Sequence, residues 1–267
     1  MSRIVLGIEY DGSGYSGWQR QPHRRSVQAE LEKALAKVAN HPLTVVCAGR
    51  TDAGVHALEQ VVHCDVNVAR DLSAWLLGGN SHLPDDVRII WAKEAVGDFH
   101  ARYSAIARLY RYVILNRPVK SALQGKQMTW CYHPLDAEAM HKAAQHLLGN
   151  HDFSSFRAQG CQSKSPVRMV YFVDVFRDGD KVIIQICANA FLHHMVRNIA
   201  GVLMEIGTGK QPEDWTLTLL GAKKREMGGV TAPPYGLYLE AVYYPDSYGI
   251  TKHAAFNKLP ADAKRFD

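Results

Sequence analysis

Cysteine is sparse in this 267-residue chain: Cys47, Cys64, Cys131, Cys161 and Cys187 are odd in number, widely spaced and never arranged as Cys-x-x-Cys. That excludes a zinc ribbon and a disulfide framework, and it points to a reducing, cytoplasmic setting. Long apolar runs are missing too. The segment around Ile199 to Met204 stops far short of the ~20 residues that a bilayer span needs. Met1-Ser2-Arg3 leads directly into an alternating strand pattern, so the expectation is a chain with no signal peptide and no membrane partner. The 13 histidines include no His-x-x-x-His ligand pair, which disfavours a metal-dependent hydrolase or nuclease. No G-x-x-x-x-G-K-S/T phosphate loop occurs, so nucleoside triphosphate chemistry is not indicated.

What is present has the balance of a soluble globular chain, 47% hydrophobic and 21% charged, long enough for one large domain or two ordinary ones. Lys and Arg number 31 against 26 Asp and Glu, a formal +5. As a total this is weak evidence. It gains meaning only if the arginines gather around candidate chemistry.

Ile4, Leu6, Ile8 and Tyr10 alternate with Val5, Gly7 and Glu9, the period of a strand. Three glycines in the six residues Gly12 to Gly17 then predict an irregular, flexible loop carrying Tyr15 and Trp18. Ser26 reads as the N-cap of a helix with Val27, Leu31, Ala34, Leu35 and Val38 on one face. Strands over 44–48 and 60–66, a helix from Asp71 ended by Gly78-Gly79, and a strand over 87–93 complete a βαββαβ order. A similar order returns: a strand over 108–115, a helix over 136–148, strands over 167–176 and 181–187 about an Asp-Gly turn, helices over 193–206 and 212–223, and a strand over 237–244. The reading is α+β, with an N-terminal half over 1–105, a C-terminal half over 106–245 and a tail over 246–267. No low-complexity linker divides the halves, so they are expected to share one continuous sheet.

The densest polar cluster is Gly49-Arg50-Thr51-Asp52-Ala53-Gly54-Val55-His56. A short loop bracketed by glycines aims a carboxylate well and lets another molecule approach its backbone. On spacing alone, a plain turn in which Asp52 caps its own backbone is the better explanation. Arg50 tilts the balance towards a phosphate or displaced-base contact. A lone carboxylate disfavours paired-carboxylate hydrolysis and suits a nucleophile.

Six segments in register resemble the TruA-type tRNA pseudouridine synthase family. They are Tyr10-Asp11-Gly12 through Gly17-Trp18-Gln19-Arg20-Gln21, the Asp52 loop, Phe99-His100-Ala101-Arg102, Ala107-Arg108 with Tyr110-Arg111-Tyr112, Asn189-Ala190-Phe191 through His193-His194-Met195-Val196-Arg197-Asn198, and Gly236-Leu237-Tyr238-Leu239. The resemblance implies the pseudouridine synthase fold: two ferredoxin-like halves sharing a continuous mixed, largely antiparallel sheet with helices packed against it. It also implies isomerisation of uridine to pseudouridine at positions 38, 39 and 40 of the tRNA anticodon stem-loop, a homodimer, and neither cofactor nor metal.

By the same resemblance Asp52 is the nucleophile, Arg197 its ionic partner, and Tyr110 the ring that stacks on the turned-out uracil and assists removal of the C5 proton. Arg50 helps hold the vacated position, and Leu237 walls the pocket, although one more core leucine is an equally sound reading of it. Turning a base out of a stem costs a few kcal/mol that protein contacts must offset. Helical spacing places Arg197 close to the face of His193 and His194. Arg20, Arg24 and Arg25, and Arg102, Arg108 and Arg111, lie beside motif residues and are candidates for phosphate contacts, whereas Lys223-Lys224-Arg225 reads as a solvated helix end. Tyr112 reads as a core residue. Glu59 stands where the family often has glycine, and Cys64 where an aromatic is common. The alternative is an RNA-binding module without catalysis, which leaves Arg50-Thr51-Asp52 unexplained.

Overall fold

A computed structural model of the chain describes residues 2–250; the C-terminal tail lies mostly outside them. In chain order the elements are β1 (Ser2–Tyr10), α1 (Val27–Ala39), β2 (Val46–Cys47), β3 (His56–Val66), α2 (Gly79–His82), β4 (Val87–Glu94), β5 (Ala107–Asn116), β6 (Thr129–Cys131), α3 (Ala137–Gln145), β7 (Gly149–Asp152), β8 (Val167–Asp178), β9 (Lys181–Ala188), α4 (Met195–Gly207), α5 (Trp215–Ala222) and β10 (Leu237–Tyr243). The fold is α+β. Two compact units divide it, one ending at Ile106 and resuming at Tyr238, the other running from Ala107 to Leu237. Among the described residues no helix is long and apolar enough to cross a membrane, and the five cysteines are unpaired thiols.

In the first unit β1 is a central strand, antiparallel to β3 on one side and to β4 on the other. Ile4, Val5, Leu6 and Ile8 are all buried, so both faces of the strand are covered. Each such side chain contributes roughly 1.5–3 kcal/mol on leaving water. β10 runs parallel to β3, pairing Tyr238 with His56 and Leu239 with Ala57, directly behind the Asp52 loop.

α1 begins where expected, and Ser26 occupies the N-cap with extended backbone. Its hydroxyl does not cap; it is buried without a hydrogen-bond partner. The helix ends at Asn40, whose φ of 56° is the left-handed conformation that asparagine tolerates. Gly78-Gly79 does not end a helix. Both residues are helical, joining a five-residue π-turn over Ala74–Gly78 to α2. Gly79 is there for closeness: a Cβ would overlap the Ile89 Cδ1 on β4.

In the second unit the strand order is β5-β9-β8-β7, with β6 parallel to β5. β6 and β7 are short, and neither carries a strand period in the sequence. The β8–β9 hairpin closes with Asp178 opposite Lys181. The two residues between them are therefore Gly179 and Asp180, and the positive φ of 55° falls on Gly179. That is the glycine-first arrangement of a type II′ hairpin, one residue on from the Asp-Gly reading. α3 starts at its Asp136 cap, which accepts from the amides of Glu138 and Ala139. Gln145 on α3 donates to the Val173 carbonyl of β8, tying the helix to the sheet.

Candidate active site

Asp52 stands half-buried in a loop whose backbone is fixed on every side within the first unit. The Val55 amide donates to the Asp52 carbonyl at 3.2 Å, closing a turn in which Gly54 has φ +78°. Glycine reaches that conformation without a Cβ penalty. Upstream, the Gln60 side chain bonds both the amide and the carbonyl of Gly49. Gln60 is fully buried in β3. Its signal was available in the sequence: a lone amide before Val61-Val62, inside an apolar strand.

The loop rests on the segment that follows β1. The Tyr10 hydroxyl and Thr51 Oγ1 lie 2.8 Å apart in the interior. The Trp18 amide donates to the Thr51 carbonyl at 3.0 Å, and the Gly54 amide donates to the Tyr15 carbonyl at 3.3 Å. His56, 2% exposed, accepts from the Gly12 amide through Nδ1 and stacks on Tyr238. Tyr15 and Trp18 are buried, not carried on a flexible loop as the glycine content predicted. The Tyr15 hydroxyl donates to Asp86 at 2.5 Å, and burial with this bond raises its pKa.

Gly12, Gly14 and Gly17 follow a strand with G-x-G-x-x-G spacing, the dinucleotide-binding pattern. Their geometry is different. That pattern opens a helix at its last glycine, whereas α1 starts ten residues beyond Gly17. Gly12 and Gly17 instead face the backbone of residues 51–55: a Cβ on Gly12 would overlap the Val55 oxygen, and one on Gly17 would stand 2.8 Å from the Thr51 oxygen.

Arg50 is exposed, two residues before Asp52. At Cys47, at the head of the loop, burial pushes the thiol up to about 12 despite the nearby Arg50 and Arg102, so it stays protonated at neutral pH. Glu59 accepts from the Trp91 indole at 2.9 Å, so the residue standing in for glycine behind the loop has a partner on β4.

The second unit carries the other expected residues. Tyr110 on β5 is 8% exposed and meets Phe191 edge-to-face, ring centroids 4.9 Å apart. Tyr112, two residues on, is the core residue expected: its hydroxyl is bonded to Thr129 and to the Pro233 carbonyl, and burial raises its pKa. Arg197 lies in the first turn of α4. Its Nε donates to the Ala232 carbonyl at 2.8 Å, while the Ala232 amide donates back to the Arg197 carbonyl. The helical spacing drawn through His193 and His194 does not hold. His194 is the N-cap, with a left-handed φ of 61°, and His193 precedes the helix. Leu237 is 5% exposed at the start of β10.

The basic residues separate into two kinds. Arg20 pairs with Glu32 at 2.9 Å. Arg25 pairs with Asp86 and Glu30 and covers the Tyr15 ring at 4.2 Å. Arg24 and Arg102 are exposed in the same unit. In the other unit Arg108 donates to the Asn189 carbonyl, and Arg111 is half-buried on β5. Arg225 is not a solvated helix end. It donates to Asn198, Thr231 and the Gly229 carbonyl, pinning the segment that holds Arg197.

The chain matches a family described as tRNA pseudouridine synthase over residues 7–104 and 143–245. It is 60% identical over 264 residues to tRNA pseudouridine synthase A of Methylococcus capsulatus, covering 99% of this chain and 97% of that one. The protein of the same name from Coxiella burnetii is 54% identical over 252 residues, with coverage of 94% and 97%. That from Shigella boydii is 57% identical over 250 residues, with coverage of 94% and 93%. Among solved structures, a chain of the archaeal box H/ACA sRNP Nop10-Cbf5 complex aligns with 75% of this chain and 44% of its own, at 13% identity and TM-score 0.32.

Proposed function

The chain belongs to the tRNA pseudouridine synthase family, and on that premise we propose that it isomerises uridine to pseudouridine at positions 38, 39 and 40 of the tRNA anticodon stem-loop, with Asp52 as nucleophile. The observation that carries the reading is the Asp52 loop: a single carboxylate on a turn held by hydrogen bonds at Gly49, Thr51, Gly54 and Val55. The carboxylate adds to the ribose C1′ or the uracil C6. The N1–C1′ bond breaks, the uracil turns, C5 bonds to C1′, the bond between Asp52 and the carbon it attacked breaks to restore the free carboxylate, the C5 proton leaves and N1 takes a proton. No net redox change or hydrolysis occurs.

Arg197 serves as the ionic partner of Asp52. An arginine suits the task because it keeps its charge. Tyr110 stacks on the uracil and takes part in removal of the C5 proton, Leu237 supplies an apolar wall, and Arg50 holds the place that the base leaves. The phosphate contacts come from Arg20, Arg24, Arg25, Arg102, Arg108 and Arg111. The enzyme works in the cytoplasm as a homodimer and needs no cofactor.

The test uses unmodified tRNA tritiated at C5 of uridine, with a chelator present. Wild type releases the label and Asp52→Ala releases none. Binding without release by the wild type would instead establish the RNA-binding module.

A further inference from the structure

We propose that the segment Asp11–Trp18 is a positioning clamp for Asp52, and that Tyr10 is a positioning residue acting on Asp52 through Thr51. The proposal rests on the reading of Asp52 as nucleophile. An attacking carboxylate must be held near 3–3.5 Å from its target atom, and a misplacement of about 1 Å costs roughly a hundredfold in rate. Asp52 sits between Thr51 and Ala53-Gly54, residues too small to hold it by their own packing. The restraint comes from outside the loop.

Hydrogen bonds supply it, and they fall on both sides of Asp52. Thr51 is gripped twice, by the Tyr10 hydroxyl through its side chain and by the Trp18 amide through its carbonyl. Gly54 is held by the Tyr15 carbonyl, and His56 by the Gly12 amide. The glycines make the approach possible, since a side chain on Gly12 or Gly17 would collide with the carbonyls of Val55 and Thr51. The clamp is itself anchored. Tyr10 ends β1, which is paired on both sides, and its ring packs 5.9 Å from that of Trp18. A site built on such an element is held more tightly than one on a loop.

A purely structural role for the Tyr10–Thr51 pair gives a different outcome in a double-substitution experiment. Tyr10→Phe and Thr51→Val each break the buried hydroxyl pair from one side, whereas the double variant removes both hydroxyls together. The measurements are kcat and KM for tritium release from tRNA, together with the thermal midpoint. Each single variant is expected to lose kcat by about tenfold to a hundredfold with KM within about twofold of wild type. The double variant regains the thermal midpoint but not kcat. If kcat instead returns with the midpoint, the pair is only structural and the proposal is overturned. Gly17→Ala is expected to lower kcat in a protein that still binds tRNA; wild-type kcat there would count against the clamp. Asp52→Ala is measured alongside: an active Asp52→Ala removes the nucleophile reading itself, while an inactive one beside fully active clamp variants removes the clamp alone.

Discussion

His63 is a base kept neutral by its surroundings. It is 3% exposed on β3, its Nδ1 accepts from the Ala101 amide, and the His100 ring stands 4.7 Å away. Burial is the main cause of a pKa lowered to about 4, with Arg3 and His100 adding repulsion and Asp65 opposing it. The unfolded chain binds this proton near pH 6.5 and the folded chain only near 4. Between those values the unfolded state carries more protons, so the contribution to stability is full above pH 6.5 and is lost as pH falls towards 4. It amounts to roughly 3 kcal/mol. His63→Asn, whose amide oxygen is placed to accept from Ala101, should flatten the thermal midpoint across that window; an unchanged profile would move the acid sensitivity elsewhere. At this scale the candidate site was half legible. Asp52 announced itself by its bracketing glycines, but its restraints did not, because Tyr10 and Thr51 lie 41 positions apart and neither is unusual in its own segment.

Helix α4 shows how an element's position depends on one missing methyl. Gly201 faces the segment leading into β10, and a Cβ there would overlap the Val230 oxygen. Alanine would favour the helix by about 1 kcal/mol, but relieving the clash by moving backbone costs more, typically about 1–3 kcal/mol. The displaced segment includes Ala232, which exchanges two bonds with Arg197. Gly201→Ala should therefore lower both the thermal midpoint and tritium release; a variant more stable than wild type would show that the segment yields freely. Elements with a clear period were legible in the sequence: β1, α3 behind its Asp136 cap, and the β8–β9 hairpin. Those set by distant neighbours were not. Gly78-Gly79 carries the composition of a helix end, yet close packing on β4 keeps it helical. β7 is Gly-Asn-His-Asp, a turn by composition, and becomes a strand only by pairing with β8. His194 takes a left-handed φ that no local pattern announces, and this is what puts His193 outside the helix that spacing predicts for it.

For the whole molecule the formal +5 is less informative than which arginines the fold has already used. Arg24 and Arg25 are adjacent and both exposed, so sequence treats them alike. The structure does not. Arg25 is engaged by Asp86, Glu30 and the Tyr15 ring, and through Tyr15 it supports the segment beneath Asp52. Arg25→Glu would set a carboxylate against Asp86 and Glu30, turning exposed pairs worth about 0.2–1 kcal/mol each into repulsions. The expected result is a lower thermal midpoint accompanied by reduced turnover. Arg24→Glu should leave the midpoint unchanged and act on binding. Removing one cationic partner of a phosphate reduces the slope of log affinity against log salt by about 0.7–0.9. If Arg24 faces the tRNA backbone, its variant binds more weakly at low salt, with a slope reduced by about that amount, and the two proteins converge as salt rises. An unchanged slope would remove Arg24 from the interface. The contrast between neighbouring residues separates a charge that also braces the fold from one whose removal is felt by the polyanion alone, a distinction the net charge conceals.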